Sequence, residues 1–114
     1  MARDEELVSR VRAGLAHVPS VKERRMFGSI AFMVRGKMCV GVRTERIMCR
    51  INPELHDAAV ERKGCRTVVM KGQQYRGYVY VDAESVRTNR ALKYWLDLAL
   101  DYNKVAASTR IGDA

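Results

Sequence analysis

The chain has 114 residues, a mass of 13.0 kDa, 47% hydrophobic and 30% charged residues, and a formal net charge of +8. This length supports one domain with one core, and the composition is that of an ordinary soluble protein. The apolar runs are far shorter than the about 20 residues that span a bilayer, and the acidic start Asp4-Glu5-Glu6 is unlike a signal peptide. We therefore expect a cytoplasmic protein without a membrane partner.

The first predicted element is a helix over residues 4–18, because Leu7, Val8, Val11 and Leu15 recur at helical spacing. Three short strands follow. The turn candidate Arg35-Gly36 joins the first strand to the second, and Thr44-Glu45 joins the second to the third.

The second half of the chain begins with Asn52-Pro53-Glu54, a strong helix start, and this helix is predicted to end before Gly64. Strands are predicted over residues 65–70 and 75–81, then a helix over 88–105 with Trp95 on its buried side. The predicted fold is a two-layer α+β sandwich with a mainly antiparallel sheet and the order α-β-β-β-α-β-β-α. We expect residues 1–105 to form a single domain and residues 106–114 a flexible tail.

Pairing the strands about the two turns assigns their side chains to two faces of the sheet. The predicted core face contains Phe27, Ala31, Met33, Met38, Val40, Val42, Ile47, Cys49 and Ile51. The opposite face contains Ile30, Phe32, Cys39, Gly41, Arg43, Arg46, Met48 and Arg50. This second face mixes apolar groups with arginines, a composition typical of interfaces, so Ile30, Phe32 and Met48 are predicted to form the dry centre of a contact with a partner or a second copy of the chain. The alternatives are that the second helix covers this face or that it is an open mixed surface.

The excess positive charge is confined to the middle of the chain. Residues 22–76 hold 13 Lys or Arg and 5 Asp or Glu, a difference of +8, whereas the remainder holds 8 of each. Such a segment is typical of a nucleic-acid partner, although small basic proteins are common. The residues predicted to contact a macromolecule are Arg25, Arg43, Arg46 and Arg50.

The sequence offers little for catalysis, metals or cofactors, and none is predicted. His17 and His56 lie on different predicted helices without other ligands at metal-binding spacing, so both are expected at the surface. The three cysteines form no CxxC motif and are expected to be buried free thiols. Cys39 is the one candidate for a reactive thiol, because the predicted register places it among arginines and opposite to Cys49.

Several segments resemble, in order, the N-terminal domain of the TfoX/Sxy family. They are Arg25-Met26-Phe27-Gly28, the Met38-Cys39 strand, Arg50-Ile51-Asn52-Pro53-Glu54, Arg76-Gly77-Tyr78-Val79-Tyr80-Val81 and the Trp95 helix. The resemblance implies a stand-alone domain of this type with the same order of elements. It also implies a non-enzymatic regulatory or adaptor role, since family members with a further C-terminal domain regulate natural competence. We therefore expect binding to another macromolecule, a protein in the first reading and a nucleic acid in the alternative.

Overall fold

The computed structural model describes residues 5–26 and 28–106. Within them the helices are α1 (Glu5–Gly14), α2 (His56–Val60) and α3 (Asn89–Asn103). The strands are β1 (Val21–Met26), β2 (Ser29–Val34), β3 (Lys37–Arg43), β4 (Arg46–Arg50), β5 (Cys65–Met70) and β6 (Gln73–Asp82). Single turns of 3-10 helix, Pro53–Leu55 and Ala83–Val86, precede α2 and α3.

All the strands form one antiparallel sheet in the order β1-β2-β3-β4-β6-β5. The predicted α+β class is confirmed, but the predicted order lacked β1. Lys22, Glu23, Arg24 and Arg25 on this strand are exposed and charged, so the apolar alternation that marks a strand is missing. A charged edge strand of this kind also discourages pairing with another chain.

The two predicted turns, Arg35-Gly36 and Thr44-Glu45, are confirmed by the pairing of Val34 with Lys37 and of Arg43 with Arg46, and Lys71-Gly72 forms a third turn. Arg35 and Gly36 have φ values of 54° and 74°, and Lys71 and Gly72 have 53° and 75°. Two consecutive positive φ values characterise the two-residue hairpin turns that match the twist of paired strands. These turns therefore set the pairing of β2 with β3 and of β5 with β6 at the hairpin ends.

A bulge in the β2–β3 ladder overturns the predicted faces. Met33 pairs with Met38 as predicted, but Phe32 pairs with Val40, which leaves Cys39 as an extra residue. One extra residue reverses every later side-chain assignment on one strand relative to the other. Ile30 and Phe32 consequently join the core with Val40, whereas Ala31, Met33 and Met38 lie on the opposite face. Phe27, predicted in the core, lies outside the described residues.

The core lies between one face of the sheet and the helices. Phe32, Val40, Cys49 and Val79 follow one another across β2, β3, β4 and β6 and belong to a single buried cluster. From the helices, this cluster includes Leu7, Val8, Val11, Ala59, Leu92, Trp95, Leu96 and Ala99. Trp95 is 3% exposed, as predicted from its place on the helix.

The end of α3 is fastened to the β2–β3 hairpin. Asn103 is 2% exposed; its side-chain amide donates to the carbonyl of Val34 at 3.1 Å and its Oδ1 accepts from Arg35 at 3.1 Å. Lys37 Nζ donates to the carbonyls of Asn103 at 2.7 Å and Ala106 at 2.9 Å. A cation at these last carbonyls also complements the negative end of the helix dipole. Residue 106, the first of the predicted tail, is thus packed, and residues 107–114 lie outside the described part.

Candidate macromolecule-binding face

The side of the sheet opposite the core, here called the open face, is built by one continuous row of paired residues. In strand order β1-β2-β3-β4-β6-β5 this row is Arg24, Ala31, Gly41, Met48, Tyr80 and Arg66. The neighbouring pairs add Lys22, Met33, Met38, Arg50 and Tyr78 on one side and Arg43, Arg46 and Asp82 on the other. No helix residue of the described chain forms part of this row.

Two arginines face each other across β3 and β4. Arg43 pairs directly with Arg46, as the sequence predicted from the Thr44-Glu45 turn. Like charges directly opposite on paired strands are unfavourable unless water or an anion separates them. Among the described residues, no carboxylate forms an ion pair with either side chain. This pair is therefore a local concentration of positive charge.

The Tyr80 ring lies close to the guanidinium groups of Arg46 and Arg66. The guanidinium carbon of Arg46 is 4.1 Å from the Tyr80 ring centroid, and that of Arg66 is 6.0 Å away. Both distances are within the range of cation–π attraction, and the ring is only 9% exposed. Arg66 also donates to Asp82 at 2.8 Å. The stacking orients Arg46, whose Nε atom is buried without a hydrogen-bond partner.

Methionines supply the apolar part of the open face. A Cβ atom built on Gly41 would lie 3.7 Å from Met38 Cε and 3.9 Å from Met48 Cβ, so these side chains flank the glycine. Met33 and Met48 are half-buried. Methionine adapts its shape to different partners, and its enrichment beside arginine is typical of protein interfaces.

The structure separates the predicted contact residues. Arg43 and Arg46 lie together on the open face, whereas Arg25 pairs with the core residue Ile30 at the edge of the sheet. Arg50 is 9% exposed, with its guanidinium carbon 5.5 Å from the Tyr78 ring centroid and 5.7 Å from that of Tyr102. By register Arg50 is on the open face beside Met48, but the Tyr78 and Tyr102 rings enclose its guanidinium and leave it little exposed to a ligand.

The prediction that Ile30, Phe32 and Met48 form the dry centre of an interface is wrong for two of the three residues. Ile30 is 5% exposed and Phe32 is fully buried, both in the core under the helices. The bulge at Cys39 is the physical reason, since it turns these two positions away from the arginines. Of the three predicted interface residues, only Met48 lies on the open face. Lys22, Arg24, Arg66 and Tyr80 were missed; they follow from the alternation of β1, β5 and β6 once the strand order is known.

The cysteines are buried thiols. Cys39 is 1% exposed, and burial raises its pKa to about 12 although Arg35 and Arg50 oppose the rise. Burial likewise raises the pKa of Cys65 to about 11 and that of Cys49 well above its ordinary value. The expectation of buried free thiols is confirmed. The predicted placement of Cys39 among the arginines, on the face opposite to Cys49, is wrong, because the bulge places both in the core cluster.

His56 has a structural position that sequence reasoning missed. Its ring is 4% exposed; Nδ1 accepts from the backbone N–H of Gly77 at 2.8 Å, and Nε2 lies 2.8 Å from Thr67 Oγ1. Because Nδ1 is the acceptor, the proton must reside on Nε2, which donates to Thr67. His56 thus joins α2 to β5 and β6, and its predicted surface position is wrong. Within residues 5–26 and 28–106, no three His, Cys, Asp or Glu side chains are grouped to hold a metal ion.

An antiparallel sheet with its helices on one face defines a small two-layer α+β domain. The family model of the TfoX N-terminal domain matches residues 13–102, a range that contains every described strand and most of α3. The chain therefore belongs to the TfoX N-terminal domain family, as the resemblance in the sequence implied. Searches of the curated proteins and of the solved structures found no match to the chain. No described helix is long and apolar enough to cross a membrane.

Proposed function

We propose that this TfoX N-terminal domain is a non-enzymatic, cytoplasmic regulatory or adaptor domain that binds another protein through its open face. The observation that carries the proposal is the division of the sheet into two unlike faces. One face is buried under all three helices, and the other combines the Arg43–Arg46 pair with half-buried methionines. Arginine and methionine around a partly apolar centre are what protein-binding surfaces use.

The chemistry of the buried groups supports a binding role over a catalytic one. A nucleophilic cysteine needs an accessible thiolate, whereas Cys39, Cys49 and Cys65 are buried with raised pKa values. His56 has both ring nitrogens engaged in joining structural elements. These side chains contribute to folding, which leaves the open face as the surface with unused interaction capacity.

Affinity capture from the native lysate tests the proposal. Wild type is compared with Arg43→Glu/Arg46→Glu on the open face and with the α3 variant Arg90→Glu/Lys104→Glu, a matched charge change at exposed positions in α3 and directly after it. We expect wild type and the α3 variant to retain a partner protein after nuclease treatment, and the open-face variant to lose it. The purified partner should bind the purified wild-type domain. Partners captured equally by all three proteins would contradict a role for the open face.

A nucleic acid is the second candidate, and the clustering of Lys22, Arg24, Arg43, Arg46 and Arg66 on one face supports it. These residues come from the basic segment 22–76 and lie on paired strands. Phosphate contacts release counterions, so binding of this kind weakens steeply as salt increases. Capture that disappears with nuclease, together with binding of purified RNA or DNA that falls linearly on a log–log plot against salt, would favour this candidate.

A further inference from the structure

The open face has a charge that restricts its partner. Its accessible basic residues are Lys22, Arg24, Arg43, Arg46 and Arg66, and its carboxylate is Asp82, which is already paired with Arg66 at 2.8 Å. The surplus charge is positive and lies around the half-buried Met33 and Met48. A complementary partner must therefore bring negative charge together with apolar side chains.

A second copy of the chain does not meet this requirement at the open face. A two-fold symmetric dimer through this face would place the same positively charged patch on both sides of the interface. Like-charge juxtaposition across an interface costs several kcal/mol. The carboxylate available on this face is engaged by Arg66 within the chain. Charge therefore disfavours the homodimer that the sequence suggested.

The aromatic rings of the open face, Tyr80 and Tyr78, are arranged unfavourably for a nucleic acid. Single-strand binding relies on aromatic rings on which bases stack. The Tyr80 ring is covered by the guanidinium of Arg46 at 4.1 Å, has Arg66 beside it, and is 9% exposed. Tyr78 is half-buried, with the Tyr75 ring edge-on at 6.3 Å and the guanidinium carbon of Arg50 5.5 Å from its centroid. Base stacking is therefore hindered at both rings, whereas aliphatic side chains can pack on the methionines.

We infer that the partner segment is an acidic stretch of protein with interspersed apolar residues. A carboxylate of this segment lies between Arg43 and Arg46 and relieves their mutual repulsion, and an apolar side chain packs on Met48 beside Gly41. Stacking on Tyr80 holds the Arg46 guanidinium in a fixed plane, which suits the planar geometry of a carboxylate. This inference rests on the proposed function, because it names the chemistry of the partner for the same face.

A binding series with defined polymers tests the inference. The probes are a random glutamate–tyrosine copolymer, polyglutamate, single-stranded polyadenylate and a mixed-sequence DNA duplex, each measured by fluorescence anisotropy at about 50 and about 300 mM salt. We expect the copolymer to bind most tightly. Arg43→Gln/Arg46→Gln should weaken it by about tenfold or more, whereas Arg90→Gln/Lys104→Gln, which removes equal charge from α3, should change it less than about twofold.

The apolar half of the inference has its own control. Met48→Ser should weaken the copolymer by about fivefold while leaving polyglutamate nearly unchanged, since only the copolymer supplies a side chain to pack there. Circular dichroism confirms that each variant is folded. The inference would be overturned if polyadenylate or duplex bound more tightly than the copolymer, or if the open-face and α3 variants lost equal copolymer affinity. A wild-type dimer that Arg43→Gln/Arg46→Gln dissociates would also contradict it. Absence of polymer binding would also overturn it, while lysate capture judges the proposed function separately.

Discussion

Cys39 occupies the extra position of the β2–β3 bulge, and its surroundings determine its chemistry. The side chain is buried in the core, and burial outweighs the opposing charges of Arg35 and Arg50 to raise its pKa to about 12. At pH 8 only about one such thiol in ten thousand is ionised, and the thiolate is the reactive form. A bulge residue of this kind contributes shape to the sheet and not chemistry to its surface.

The three thiols are therefore expected to be unreactive in the native protein. A disulfide reagent at pH 8 should label the folded protein slowly and label all three cysteines rapidly once denaturant has unfolded it. Rapid labelling of one thiol in the native state would contradict the burial of that cysteine. Cys39→Ser identifies whether Cys39 is the residue concerned.

His56 makes the stability of the protein depend on pH. Burial, together with Arg76, holds the pKa of His56 below its ordinary value of 6.5, while Asp57 opposes the shift. A depressed folded-state pKa means that the unfolded chain takes up the proton first as pH falls. The stabilisation that neutral His56 contributes is thus complete above pH 6.5 and is lost as the pH drops through the folded-state pKa of His56.

Urea unfolding between pH 8 and pH 5 measures this effect. The free energy of unfolding should decrease as the pH is lowered, both in wild type and in the control variant His17→Gln, because His17 is exposed. His56→Gln should flatten this part of the curve. At pH 8, His56→Ala should cost about 1–3 kcal/mol, because the buried N–H of Gly77 then has no acceptor. An identical pH dependence in wild type and His56→Gln would exclude His56 as the source.

At the scale of elements, α3 is held at its end by polar contacts as well as by its apolar side. Asn103 contacts Arg35 and Val34, and Lys37 contacts the carbonyl of Asn103. The buried residues of α3 are Leu92, Trp95, Leu96, Ala99 and Asn103, of which Trp95 was predicted from the sequence to lie on the buried side. The polar Asn103 thus continues the buried side of α3 to the hairpin.

Asn103→Ala should destabilise the protein by about 1–3 kcal/mol, since it leaves the Val34 carbonyl without its donor and removes the acceptor of Arg35. Asp101→Ala, exposed on the same helix, should change stability by less than about 0.5 kcal/mol. Urea midpoints for the two variants, with unchanged denaturant slopes, make the comparison. Equal small effects would show that apolar packing alone holds α3.

At the scale of the whole molecule, positive charge from distant parts of the chain is collected on one side of the sheet. Lys22 and Arg24 come from β1, Arg43 and Arg46 from the central strands, and Arg66 from the other edge. Such a field raises the rate of encounter with an acidic partner and weakens with salt. It also carries a stability cost that should be measurable.

Arg43→Glu should raise the free energy of unfolding by about 0.2–1 kcal/mol at low salt, because it replaces a cross-strand pair of like charges with a pair of opposite charges. The gain should shrink as salt is added. The same variant should bind the glutamate–tyrosine copolymer less well than wild type, so stability and binding change in opposite directions. A loss of stability would show that the arginines are already neutralised within the domain.

The local chemistry of the sequence determined much of the architecture. The hairpin turns at Arg35-Gly36 and Thr44-Glu45 were predictable because turn residues act within a few positions of the chain. The cap of α3 at Thr88 and the bounds of β5 follow from similarly local preferences. The family resemblance was readable for the same reason, since it rests on short segments that keep their order along the chain.

Only the tertiary structure decided which side chains share a face. The bulge at Cys39 sends Phe32 into the core, the pairing of charged β1 with β2 adds Arg24 to the open face, and the approach of Gly77 buries His56. None of these has a local signature, because a bulge, an edge pairing and a buried hydrogen bond each depend on contacts between residues distant in sequence. A shift of one residue in a strand reverses its faces, so the binding surface depended on the packed sheet.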